Sequence, residues 1–144
     1  MKKAFLFTVV PLLLMFVFTG CDEHNPEELI PNISGYWQIE EVTFADGRKK
    51  AYNFSENIDY IKIGDSLNGF RKKLQPRLDG TFKATASLEE FKLKIENDSL
   101  KIYYSTPFSN WKETILEANE SKLLILNSRG DIYLYKHYEP IDLN

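Results

Sequence analysis

Phe91-Lys92-Leu93-Lys94-Ile95-Glu96 alternates apolar and charged side chains at every step, and Asn97-Asp98 then turns the chain into a second run, Leu100 to Ser105. A two-residue beat puts Phe91, Leu93 and Ile95 on one face and Lys92, Lys94 and Glu96 on the other, as in a β-strand with one dry and one wet side. Working outward, Asp79-Gly80 reads as a hairpin turn feeding a strand from Thr81 to Ala86. Trp111 to Ala118, Lys122 to Asn127 and Asp131 to Tyr138 follow downstream, the last two joined through Ser128-Arg129-Gly130. Upstream, Ile33 to Phe44 carries Ile33, Trp37 and Ile39 on one face and ends at Asp46-Gly47, with Ala51 to Phe54 and Tyr60 to Ile63 as short strands beyond it. Leu67 to Leu78 is the irregular stretch, broken by Asn68-Gly69 and by Pro76, a residue that belongs at strand edges or bulges. Helix periodicity nowhere persists beyond about three turns. The expected fold is all-β: a small antiparallel up-and-down β-barrel of about eight strands, because closure removes the exposed edges of such a meander.

The chain ahead of Ile33 differs in kind. Lys2 and Lys3 precede a charge-free apolar run from Ala4 to Phe18, the profile of a cleaved signal peptide. As a helix that run would reach only about 22 Å, short of the roughly 30 Å of bilayer hydrocarbon, and Pro11 interrupts it. Phe18-Thr19-Gly20-Cys21 resembles the lipobox of bacterial lipoproteins, in which the cysteine thiol receives diacylglycerol, with Phe18 in place of the usual leucine. Cys21 is the only cysteine, so no disulfide staples the fold. Asp22-Glu23-His24-Asn25-Pro26-Glu27-Glu28 has no apolar period and reads as a disordered acidic tether running to Asn32. It is similar to surface-export signals of Bacteroidetes-type lipoproteins, and equally to a plain solvated spacer. The expected organisation is a leader over residues 1–20, a lipidated tether over 21–32 and one domain over 33–144. The formal net charge of −3 becomes two units more negative once Lys2 and Lys3 are removed, which argues against nucleic acid as a partner.

Gly35-Tyr36-Trp37 opens the first strand with the G-x-W pattern of lipocalins. Together with the strand count and the ending Tyr133-Leu134-Tyr135-Lys136-His137-Tyr138, it makes the chain resemble the small lipocalin-like lipoproteins of Bacteroidetes-type bacteria from Ile33 to Pro140. The resemblance implies that Trp37 closes one end of a barrel and that a ligand enters at the other. The chain departs from the family in having no arginine in the last strand, where the partner of Trp37 is expected, and Lys136 is the nearest substitute. Eight strands leave an interior that side chains fill or that holds one small ligand.

Chemistry-bearing residues are sparse. Past Cys21 the only histidines are His24 and His137, so no nucleophile, base and orienter set assembles and the chain is not read as an enzyme. No cofactor and no metal site is expected, since Glu40-Glu41, Glu89-Glu90 and Glu113 with Glu117 lack metal-loop spacing and read as solvated strand faces. Trp37, Trp111, Tyr133, Tyr135 and His137 are the candidate ligand-binding residues, with core packing or a plain barrel wall as the alternative for each. Asp65-Ser66-Leu67 and Asp98-Ser99-Leu100 resemble an O-glycosylation acceptor of Bacteroidetes envelope proteins, making Ser66 and Ser99 candidate acceptors. Arg129-Gly130-Asp131 is explained by turn chemistry. The expected function is an outer-membrane lipoprotein, monomeric and anchored to the membrane through Cys21, that binds a small apolar or amphipathic ligand. The alternative is a protein-interaction or inhibitory module for an envelope partner, using the Ser105 to Asn110 loop with Pro107 and Phe108.

Overall fold

A computed structural model describes residues 25–139. The leader, Cys21 and the first tether residues lie outside the described residues, as do residues 140–144. The alternating pattern becomes strands almost throughout: β1 (Gly35–Thr43), β2 (Lys49–Ala51), β3 (Ile58–Ile63), β4 (Asn68–Pro76) and β5 (Phe82–Ala84). They are followed by β6 (Glu89–Glu96), β7 (Ser99–Ser105), β8 (Asn110–Ala118), β9 (Lys122–Asn127) and β10 (Ile132–His137). The irregular stretch around Pro76 is one long strand, with the proline at its last residue where no further ladder bond is needed.

Every pairing is antiparallel, and β10 returns to pair with β1, so the sheet closes. β3 pairs with Gly35 to Trp37 of β1, and β2 pairs with Glu41 to Thr43 of the same strand. β5 and β6 divide β4 in the same way. Each of these two pairs forms a single interrupted stave, and the ten strands make an eight-stave barrel. At each interruption surplus chain leaves the wall: Tyr52 to Asn57 passes over Gln38 to Glu40, and Thr85 to Leu88 over Lys72 and Lys73. The expected strand over Ala51 to Phe54 is thus mostly excursion. Register shifts between Ile39 and Glu41 and between Ile115 and Glu117 add the bulges that help a wall curve.

The base of the barrel, where β1 begins, is packed solid. Trp37, Leu93, Leu100, Ile102, Leu123 and Ile125 form one buried cluster. The Trp37 indole Nε1 donates to the Ile33 carbonyl at 2.8 Å, which satisfies its polar edge inside the core. Gly69 has no side chain because β4 passes close beneath a ring: a Cβ there would stand 2.6 Å from Phe91 and 2.4 Å from the Lys62 carbonyl. The tether expected to be disordered up to Asn32 is folded from Pro26 onward. Pro26–Asn32 is a 3-10 helix whose first turn is capped by the Asn25 side chain, and it docks against β7 and β8. Its polar composition conceals two anchors, Leu29 and the following Ile33, both buried in the core cluster.

Candidate functional site

Side chains inside the barrel change character away from the base. Asp59 shares the face of Trp37, its register partner, and Lys73, Arg71, Glu89, Tyr104, Trp111 and Glu113 fall on the same inward face through successive pairings. The Arg71 guanidinium spans this interior. Its Nε donates to Glu89 at 2.6 Å, its Nη1 to Glu113 at 3.5 Å, and its plane lies 4.5 Å from the centroid of the Tyr104 ring. Lys73 donates to the buried Asp59 at 2.9 Å. Burial pushes the Glu113 carboxyl above the ordinary carboxylate range, opposed by the charge of Arg71. Burial opposes the charge on Arg71 too, but the acidic groups around it win and hold it more firmly protonated than usual. The Tyr104 hydroxyl is near enough to favour the ionised Glu113, yet it makes no hydrogen bond of proper geometry. Arginine, two glutamates and stacked aromatics therefore occupy the space that a luminal ligand would need.

The candidate residues are distributed through this interior. Trp37 is core at the base, and His137, its register partner on β10, meets it edge to face with 5.6 Å between ring centres. The place opposite Trp37 thus belongs to His137 and not to Lys136, which points to the outer wall beside Gln38. Trp111 stacks on Tyr104 at 4.7 Å. Tyr133 and Tyr135 face inward, and the Tyr133 hydroxyl accepts from Asn127 at 3.3 Å. Trp37 and His137 meet, while Trp111 belongs to the Arg71 group. Ser66 lies on an exposed turn with φ of 58°, whereas Ser99 opens β7 and its hydroxyl donates to the Asn97 carbonyl at 3.3 Å. The reading of Glu113 as a solvated face is corrected: it shares the inward phase of Trp111 and Ile115, and its side chain is only 12% exposed. Arg71, Asp59 and Glu113 were missed as interior groups, although a charge in phase with apolar neighbours was the available signal for Glu113.

An open cleft lies outside the barrel. This cleft, of about 690 Å³, has Gln38 of β1 and Lys136 of β10 as its floor. One wall is the excursion carrying Phe54, Ser55 and Glu56, and the other is the β4–β5 hairpin with Pro76, Arg77, Leu78 and Phe82. The hairpin turn is built by Asp79, whose carboxylate accepts from Thr81, and by Gly80 with φ of +79°, a conformation natural to glycine. An external aromatic stack clamps it to the wall: Phe82 lies 5.0 Å from Tyr36, and Tyr36 lies 4.6 Å from Tyr60. Phe54 and Leu78 remain 77% and 78% exposed on opposite walls, large apolar groups left in water beside a concave surface.

The family described as "Lipocalin-like domain" matches residues 33–125. Among solved structures, the chain is similar to a lipocalin-like protein from Bacteroides uniformis ATCC 8492, with a TM-score of 0.48 and 12% identity over 74% of this chain and 99% of that one. It is also similar to an uncharacterized protein from Bacteroides eggerthii DSM 20697, with a TM-score of 0.46 and 14% identity over 73% and 98% of the two chains. No curated protein matches it.

Proposed function

The chain belongs to the lipocalin-like domain family, and from that premise we propose that it is a non-catalytic binding protein of the bacterial envelope, holding a small amphipathic ligand in the cleft on its outer wall. The observation that carries this reading is the contrast between the two spaces. The interior is filled at the base by apolar side chains and beyond it by the Arg71 group, whereas the outer cleft combines about 690 Å³ with exposed Phe54 and Leu78. Volume and mixed lining suit one small molecule. Acylation of Cys21 is the proposed anchor, with the outer membrane as the proposed location, and several acyl chains on one cysteine give a durable attachment. The first described helix starts at Pro26, so the stretch from Cys21 to Asn25 ahead of it reaches at most about 14 Å when fully extended.

Native mass spectrometry of protein made in a host that acylates it tests both parts. A small molecule retained by the wild type and lost in a Phe54→Ser/Leu78→Ser variant is the expected result, together with a diacylglycerol mass increment that disappears in Cys21→Ser. A retained ligand indifferent to the double substitution would move the site elsewhere. A second reading, docking of an envelope protein, is favoured by Phe108, 94% exposed at the tip of the β7–β8 loop. A pull-down from envelope extracts in which Phe108→Ala captures less than wild type would support it.

A further inference from the structure

Resting on the reading of Cys21 as an acylated anchor, we infer that the outer wall of β6, β7 and β8 is a docking surface for the anionic phospholipid headgroups of the bilayer that holds the anchor. Tyr103 is at the centre of this wall, directly opposite Lys92 on β6 and Lys112 on β8, and Lys94 stands opposite Lys101. The ammonium groups of Lys94 and Lys112 lie 4.7 Å and 5.9 Å from the centre of the Tyr103 ring. None of these four lysines has an ion-pair partner among the described residues. The acids of the wall are Glu90, Glu96 and Glu117. Glu96, at the base end, accepts from the Tyr103 hydroxyl, and Glu117, at the base end of β8, is spent on Lys122 at 2.8 Å. A chain of net charge −3 thus gathers uncompensated cations on one wall. Opposed like charges such as Lys94 and Lys101 work against the fold, so the barrel itself gains nothing from the arrangement.

The position of the anchor supplies the occupant. The 3-10 helix docks against β7 and β8, so the chain enters the fold beside this wall, and the stretch from Cys21 to Asn25 holds that entry within about 14 Å of the lipid. The base itself is acidic. Its helix carries Glu27 and Glu28, and its turns carry Asp65, Asp98 and Glu120 with no lysine or arginine among them. An upright barrel would press these acids onto the negatively charged headgroups. Tipping onto the wall of β6 to β8 puts Lys92, Lys94 and Lys112 there instead, inside the Debye length of about 10 Å over which the attraction acts. The outer cleft, floored by β1 and β10 on the far side of the ring of staves from β7, then faces away from the bilayer.

Lysine acetylation read by peptide mass spectrometry tests this on protein made in an acylating host and reconstituted into phosphatidylcholine vesicles with or without phosphatidylglycerol. Lys92, Lys94 and Lys112 are expected to react about threefold more slowly on the anionic vesicles than on the neutral ones, and high salt should remove the difference. Lys49 and Lys50 on β2, across the barrel from β8, report the background and should react alike on both. Lys92→Glu/Lys112→Glu should return Lys94 to its neutral-vesicle rate. Both substituted positions are exposed, and an unchanged melting temperature separates that result from unfolding. Equal rates at the three lysines on the two kinds of vesicle, with the protein retained on both, overturn the docking wall and leave the anchor reading intact. Protein that stays on neither vesicle removes the anchor and the docking wall together. Slowing by polygalacturonate in solution but not by anionic vesicles would assign the patch to an acidic polysaccharide and likewise overturn the inference.

Discussion

At the scale of single residues, Glu113 and Gly69 make opposite demands. Burial raises the Glu113 carboxyl above its ordinary value of 4.5, so the folded state takes up this proton more readily than the unfolded chain. The sign follows: its contribution is fully present in acid, below the unfolded value, and is lost as pH rises through the higher folded value. Relative to Glu113→Gln, the wild type should therefore become less stable as pH rises above about 4.5, a trend visible in urea midpoints taken across a pH series. An unchanged difference across pH would mean that Arg71 fully offsets the burial. Gly69 tolerates no side chain, because neither the Lys62 carbonyl nor the Phe91 ring can retreat without disturbing the β3–β4 ladder or the core. Gly69→Ala is expected to cost about 3 kcal/mol, measured as a fall in the urea midpoint at constant slope. A loss within about 0.5 kcal/mol would show that Phe91 has somewhere else to go.

Among the elements, the 3-10 helix and the β4–β5 hairpin do the positioning. The helix closes the base through Leu29, and Leu29→Ala should destabilise the barrel by about 2–3 kcal/mol even though it lies ahead of the first strand. If Pro26–Asn32 were merely a spacer, the substitution would leave the melting temperature unchanged. The hairpin, by contrast, reaches the wall through Phe82 and its stack on Tyr36. Phe82→Ala should leave global stability nearly intact while raising amide exchange at Arg77 to Ala84, since the hairpin would keep only its pairing with β4. The helix and the strand leading into the hairpin belong to stretches whose local pattern is weak, although Asp79-Gly80 itself reads as a turn. A run of Glu, Pro and Asn hides the helix, and a Pro76 that reads as an interruption ends a strand.

For the molecule as a whole, closure is the property on which the rest depends. Leu134 of β10 pairs with Leu124 of β9 on one side and Glu41 of β1 on the other, so the last strand in the chain is not an edge. Leu134→Pro should prevent folding, because proline in a strand paired on both sides removes a ladder bond and strains the backbone. An open sheet would tolerate it there, and a folded, cooperatively melting variant would contradict closure. Most of the strands, their antiparallel order, the short turns and the G-x-W opening were readable from the chain, because in/out alternation and glycine-bearing turns are local properties, while β2 and β4 were not. Eight staves from ten strands were not, since surplus residues at Tyr52 to Asn57 and Thr85 to Leu88 count as excursions only against the partner strand they overrun. The candidate site was less legible still. The candidate ligand-binding residues Trp37, Trp111, Tyr133, Tyr135 and His137 take inward positions on their strands, whereas the charges that crowd the interior and the walls of the outer cleft come from strands far apart in the chain. A side chain's phase along its own strand follows from the order of residues alone. Whether Arg71 meets Glu113, or Phe54 and Leu78 come to line one cleft, depends on the register and curvature of the closed sheet, which only the whole barrel sets.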